Sequence, residues 1–257
     1  MTRQARACFQ PFILLLFLIF HSPGLTQTAR DTESLVTAAE IGLLDEIRTL
    51  LDSGVNVNAT NESGWTALMQ AAMNGHTDVV KFLIVRDADV NAKGDAGWEA
   101  LMLAAQFGHK EIVRELITAN ANVNSRSVNG STALMFAASN GHDEIVEILL
   151  KLQAAVETRD YLGRTAIMFA AADGYVKVVQ QLIANGADTA AKDDESQTAL
   201  ILAVKAGHAG VVRVLCNHCP QIKAADRHGK TAQQWAEEKN FPGILKLLKD
   251  TKPCKTD

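Results

Sequence analysis

The sequence predicts an all-α solenoid of short helix-turn-helix units joined by hairpin loops, and three observations lead there. The first is self-similarity at an offset of 33 residues, the mark of a repeat array. Thr66-Ala-Leu-Met, Glu99-Ala-Leu-Met, Thr132-Ala-Leu-Met, Thr165-Ala-Ile-Met, Thr198-Ala-Leu-Ile and Thr231-Ala-Gln-Gln each begin 33 residues after the last. The second is a glycine nine residues into each of the first five, at Gly75, Gly108, Gly141, Gly174 and Gly207. His76, His109, His142 and His208 follow those glycines, with Tyr175 in the fourth unit. The third is composition: the chain is 47% hydrophobic but only 5% aromatic. Many small contacts between close helices are therefore expected rather than one aromatic-rich core.

Each unit reads as two helices and a loop. The first helix runs through Ala71-Ala72, Ala104-Ala105, Ala137-Ala138 and Ala170-Ala171, pairs whose small side chains let neighbouring backbones approach. It stops at the glycine, which takes a left-handed C-terminal conformation at least cost. The second helix carries apolar pairs at i, i+1, i+4 and i+5, such as Ile112, Val113, Leu116 and Ile117, so one face is buried. Asn, Asp and Gly then form turns at Gly64, Gly97, Gly130, Gly163 and Gly229. A two-helix unit this short cannot bury both apolar faces alone, so its stability comes from its neighbours.

The ends differ from the middle. The unit from Glu33 to Val55 keeps the apolar pattern but carries Asp31, Glu33, Glu40, Asp45 and Glu46, as a polar N-terminal cap should. The last unit places Gln233, Gln234, Glu237, Glu238 and Lys239 outward while Trp235, Ile244, Leu245 and Leu248 remain for the core. The expected organisation is a leader at 1–29, a capping repeat at 30–62, five repeats at 63–227, a C-terminal cap at 228–250 and a disordered tail at 251–257.

The leader is read from Arg3 and Arg6, the nine-residue apolar run from Phe12 to Phe20, and the breakers Pro23 and Gly24. These are the parts of a cleavable secretory signal, with cleavage between Thr26 and Ala29. An uncleaved anchor is the rival reading, but the run falls short of the roughly 20 residues that span a bilayer. Loss of Arg3 and Arg6 takes 25 basic residues to 23 against 29 acidic ones, a formal charge of −6. With Lys and Arg clustered only at Lys246, Lys249, Lys252 and Lys255, nucleic acid is not an expected ligand.

The period, the A-A-x-x-G-H segments, the helix pairs and A-D-V-N at Ala88 to Asn91 together resemble the ankyrin repeat over about residues 33–250. The chain departs from that family in having Thr-Ala-Leu-Met where the family has Thr-Pro-Leu-His. Packing of Met69, Met102, Met135 and Met168 is expected to replace part of the lost hydrogen bonding at the helix start. The resemblance implies a non-catalytic scaffold, acting as a monomer, that recognises another protein through its hairpin tips and the exposed side of each first helix. Carried over, the partner-binding positions include Trp65, Asn74, Trp98, Phe107, Asn129, Tyr161, Leu162 and Arg164. Aromatic and Arg side chains are the usual interface hot spots. The two tryptophans could equally cover the hairpin of the next repeat.

Other chemistry is thin. The periodic histidines would lie in layers about 10 Å apart, too far for one metal ion with bonds of about 2.0–2.1 Å, so they read as structural. Cys216-Asn-His-Cys219 falls at the end of a second helix, whereas a redox-active pair belongs at a helix N-terminus. In an exported chain a disulfide of Cys216 with Cys219, or of one of them with Cys254, is open, and a zinc site is a weaker alternative. No Ser/His/Asp grouping, phosphate loop or paired carboxylate stands outside the repeat pattern, so neither an enzyme nor a cofactor is expected. The expected function is an exported, secreted or periplasmic protein that binds a partner protein. The rivals are an accessory, inhibitor or protector of one secreted or periplasmic enzyme, and a thiol or metal protein centred on Cys216 and Cys219.

Overall fold

The computed structural model describes residues 27–218 and 221–251. The leader upstream of Gln27, Cys219, Cys254 and the tail beyond Thr251 lie outside the described residues.

Fourteen helices are described, paired in order: α1 Gln27–Ile41 with α2 Leu44–Asp52, α3 Ala67–Asn74 with α4 Thr77–Val85, and α5 Ala100–Phe107 with α6 Lys110–Thr118. Then come α7 Ala133–Ser139 with α8 Asp143–Lys151, α9 Ala166–Asp173 with α10 Val176–Ala184, α11 Ala199–Ala206 with α12 Ala209–Cys216, and α13 Ala232–Glu238 with α14 Pro242–Asp250. Among the described residues extended pairing is limited to isolated bridges, Thr60 with Thr66 and Ala225 with Thr231. On α1, Thr32, Leu35 and Val36 already face the core.

Helix starts and stops follow local chemistry. The Oγ1 atoms of Thr66, Thr132 and Thr198 accept from the amides of Met69, Met135 and Ile201 at 3.2–3.4 Å, so N-capping survives in the Thr-Ala-Leu variant of the motif. Met69, Met102, Met135 and Met168 are all buried, as expected for packing that supports the helix start. The first helices end in left-handed glycines, with φ between 81° and 85° at Gly75, Gly108, Gly174 and Gly207.

First helices pack on first helices and second on second, and the first row is the closer. The reason is side-chain size: the Ala pairs from Ala38-Ala39 to Ala170-Ala171 are buried between them, whereas the second row interposes Val, Ile and Leu. A stack with one row tighter than the other curves toward the tight row, which puts the first helices on the concave side.

Ladders of hydrogen bonds tie unit to unit. His76, His109, His142 and His208 place Nε2 2.8–3.0 Å from the carbonyl oxygens of Glu40, Met73, Gln106 and Ala172 in the preceding unit, each ring lying over that unit's terminal glycine. This accounts for the periodic histidines without a metal. A methyl group on Gly75 would lie 2.6 Å from His109, so glycine is required there for space as well as for backbone conformation. The side chains of Asn58, Asn91, Asn124 and Glu157 accept from amides of the next loop at 2.7–2.9 Å. On the outer row, ion pairs such as Arg86 with Asp52 and Lys110 with Glu144 cross the same junctions. These pairs are exposed, and such pairs contribute only about 0–1 kcal/mol each.

Candidate functional site

The hairpins that lead into the first helices project from the stack, and their construction decides what they can present. In each, the first residue closes a turn onto the fifth: Asn61, Gly94, Ser127, Asp160, Asp193 and Asp226 donate N–H to the carbonyls of Trp65, Trp98, Ser131, Arg164, Gln197 and Lys230 at 2.9–3.0 Å. Where that first residue is Asn or Asp, its side chain also accepts two amides. Asp160 Oδ1 takes those of Leu162 and Arg164 at 2.9 and 2.8 Å, and Asp226 Oδ1 those of His228 and Lys230 at 2.9 and 3.0 Å. Burial acts to raise the Asp226 carboxyl, but those amides and the Trp235 indole hold it below its ordinary value. In Asp193 burial prevails over the Gln197 bonds and the carboxyl is raised.

Adjacent hairpins are also joined through the backbone. Val128, Tyr161, Asp194 and Arg227 donate N–H to the carbonyls of Ala96, Asn129, Leu162 and Glu195 at 2.8–3.0 Å. From Ala96 to Arg227 the tips therefore form one hydrogen-bonded ridge. Its middle is apolar: Val128, Tyr161 and Leu162 are 58%, 69% and 56% exposed, and Phe107, at the end of α5 on the concave side, is 48% exposed. Large apolar side chains are thus exposed on hairpins that are bonded to one another.

The remaining candidate positions divide. Asn74 and Asn129 are exposed, although the Asn74 amide donates back to Gln70 and the Asn129 carbonyl is taken by Tyr161. Trp65 is half-buried. Trp98 is also half-buried and stacks on Phe136 of the next unit, with centroids 4.4 Å apart and planes inclined by 30°. The ring it meets lies on α7, the first helix of the next unit. Arg164 is held inside its own hairpin, with Nε donating to Asp160 Oδ2 at 2.9 Å and the guanidinium 4.4 Å from the Phe169 centroid. Phe136 and Phe169 were not among the expected site residues, yet they occupy one repeat column with Gln70, Leu202 and Trp235. Tracking that column for aromatic content would have found them.

One hairpin breaks the pattern. At 94–98 the clamping position, Asn, Ser or Asp in the other hairpins, is Gly94, Ala96 sits at φ 57° without being glycine, and the helix start that is Thr in the other units is Glu99. Glu99 is 1% exposed, and its Oε2 has no hydrogen-bond partner. Burial pushes its carboxyl above the ordinary value, while a Ser125 hydrogen bond and Lys93, 3.7 Å away, pull the other way.

Cys216 is half-buried at the end of α12 and forms no disulfide among the described residues; it lies beside a surface cavity of about 310 Å³ lined by Arg213, Asn217, Leu247, Asp250 and Thr251. Burial raises its pKa, with a Thr251 hydrogen bond opposing, which disfavours the reactive thiolate. Among the described residues no group of three His, Cys, Asp or Glu side chains is placed to hold a metal ion. Likewise no described helix is long and apolar enough to cross a membrane.

A family model described as ankyrin repeats, three copies, matches at residues 6–94, 35–127, 101–193 and 167–257. Among curated proteins no relative matched the chain.

Proposed function

The chain belongs to the ankyrin-repeat family, whose repeats are protein–protein interaction modules, and from that premise we propose that it captures a partner protein on the ridge of hairpin tips and the adjoining concave face. Proteins of this family are generally non-enzymatic scaffolds, and a binding role without catalysis is the reading adopted. The observation that carries it is the exposed apolar group Val128, Tyr161 and Leu162 on hairpins bonded to one another, with Phe107 exposed at the end of α5. A preformed support spares the ordering cost that a mobile loop incurs on binding. Trp98 and Arg164 serve the surface by stiffening it; Tyr161 and Leu162 make the contact.

Export rests on the charged, apolar and small-residue segments of the leader. The protein then acts outside the cytosol or in a periplasm, as a monomer, and suits the role of accessory, inhibitor or protector of one exported enzyme. In an oxidising compartment Cys216 pairs with Cys219, or one of them pairs with Cys254. Identifying the cross-linked peptide in a digest of the unreduced exported protein checks that pairing. N-terminal sequencing checks export, which is wrong if the mature chain begins at Met1.

The binding reading is tested by affinity capture from the source organism's exported proteins, wild type beside the double variant Tyr161→Ser, Leu162→Ser. Both positions are exposed, so the fold is unaffected, as circular dichroism would verify. Wild type is expected to retain a partner that the variant recovers at least about tenfold less, the loss of roughly 1.4 kcal/mol or more typical of a hot spot. Equal recovery removes the ridge as the binding face.

A further inference from the structure

We propose that the ridge selects an extended segment of its partner whose apolar centre is flanked by a basic residue on each side, an inference that rests on the binding role above. Along the hairpin tips the exposed side chains run Glu62, Asp95, then Val128, Tyr161 and Leu162, then Asp194 beside the half-buried Glu195, with Arg227 and His228 on the last tip. From Glu62 to Asp194 the order is acidic, apolar, acidic. Glu195 is paired with Arg227, but Glu62, Asp95 and Asp194 form no ion pair among the described residues.

The guanidiniums beside the tips are held against the backbone, while Lys192, two residues before Asp194, is exposed. Arg126 Nη2 donates to the Arg159 carbonyl at 2.7 Å, and Arg159 Nη1 donates to the carbonyls of Gly163 and Lys192 at 2.9 and 2.6 Å. Arg164 is bound to Asp160, and Lys93 lies against Glu99. The guanidiniums keep their charge but are tied to backbone carbonyls, whereas the Asp95 and Asp194 carboxylates, on either side of the apolar group, are exposed and able to meet a partner's cations. A partner bringing acidic flanks would leave like charges facing one another, whereas basic flanks complement the field and speed encounter.

Geometry fixes the spacing. Packed helices of adjacent units lie about 8–10 Å apart, and an extended chain advances about 3.3 Å per residue, so one unit matches about three residues. Asp95 and Asp194 are three units apart, which places the two basic residues about nine positions apart, with apolar residues three and six positions after the first.

The test is fluorescence anisotropy on the full chain with three labelled ten-residue peptides, all with Leu at positions 4 and 7 and Ser elsewhere except as stated. One has Lys at positions 1 and 10, one has Glu there, and one carries the two Lys at positions 5 and 6. The first is expected to bind wild type at least tenfold tighter than the other two, by a margin that shrinks as salt rises. In Asp95→Lys, Asp194→Lys the order of the Lys-ended and Glu-ended peptides should reverse. Equal affinities, or no binding by any peptide, overturn the proposal. If the peptides bind equally and all are lost in Tyr161→Ser, Leu162→Ser, the ridge stands and only the basic flanks fall. If the Lys-ended peptide still binds that variant at wild-type strength, the ridge itself is refuted.

Discussion

The hairpins at 94–98 and 160–164 hold the same place in the repeat two units apart, and they are held together by different means. At 160–164 a buried aspartate accepts two amides and binds Arg164, which in turn covers Phe169. At 94–98 glycine replaces the clamp, Ala96 takes a backbone conformation that favours glycine, and the helix begins at a buried carboxylate where the other units have threonine. What remains there is the Trp98 stack on Phe136 and the bond from Val128 to Ala96. One hairpin is fixed by its own side chains, the other by its neighbour. In a stack of coupled units a locally weak member survives because the next unit supplies the missing contacts.

The largest effect that would break this comparison is expected at the clamp. Asp160→Ala strips a charged acceptor from two amides and a guanidinium, and should cost about 3 kcal/mol in urea unfolding of the full chain, since hydrogen bonds to charged groups contribute roughly 1.5–3 kcal/mol each. Asp95→Ala, at a hairpin tip without a clamping role, should change stability by less than about 0.5 kcal/mol. Similar losses at both sites would show that the clamp is not what distinguishes them.

Glu99→Thr comes next. It restores the capping residue of the other units and removes a buried, half-satisfied carboxylate, so a gain of about 1 kcal/mol is expected. The pH dependence gives its sign away. Because burial raises the folded-state carboxyl, the folded protein holds the proton more tightly than the unfolded chain, and stability falls as pH rises from the ordinary glutamate range through the folded value. The advantage of Glu99→Gln over wild type should therefore be larger at pH 7 than at pH 4. An advantage that grows on acidification would mean that Lys93 and Ser125, not burial, control the group.

Smaller still are the backbone substitutions. Ala96 and Ser196 sit at φ 57° and 58°. Ser196 occupies the tip position that is Gly64, Gly97, Gly130, Gly163 or Gly229 in the other hairpins. Ser196→Gly should stabilise by about 0.5 kcal/mol, the relief of left-handed strain partly offset by greater freedom of the unfolded chain. Ala96→Gly should do the same at the weak hairpin, and thermal melts of the two variants would reveal a difference if that hairpin relaxes its strain elsewhere.

Much of this was legible in the sequence because it follows from a period. The left-handed glycines, the buried Ala pairs, the structural histidines and the exposed Tyr161 and Leu162 all follow from position in a repeat whose members share one environment. What escaped depends on contacts between different columns of neighbouring units. Trp98 is half-buried because Phe136, 38 residues on, rises to meet it. Arg164 is tied to Asp160 and Phe169 and so contributes to the support rather than to the free surface. Glu99 could be aligned to a capping threonine, but a longer side chain at that place reveals its burial only once Lys93 and Ser125 are seen around it.

The account turns on hairpin tips that are exposed yet rigid, and native-state hydrogen exchange of the full chain tests this most directly. The amides of Val128, Tyr161, Asp194 and Arg227, bonded to the preceding hairpins, should be protected despite lying at the surface, while that of Asp95, which has no partner among the described residues, should exchange freely. Free exchange at all five would mean independent, mobile loops, and would contradict a preformed ridge.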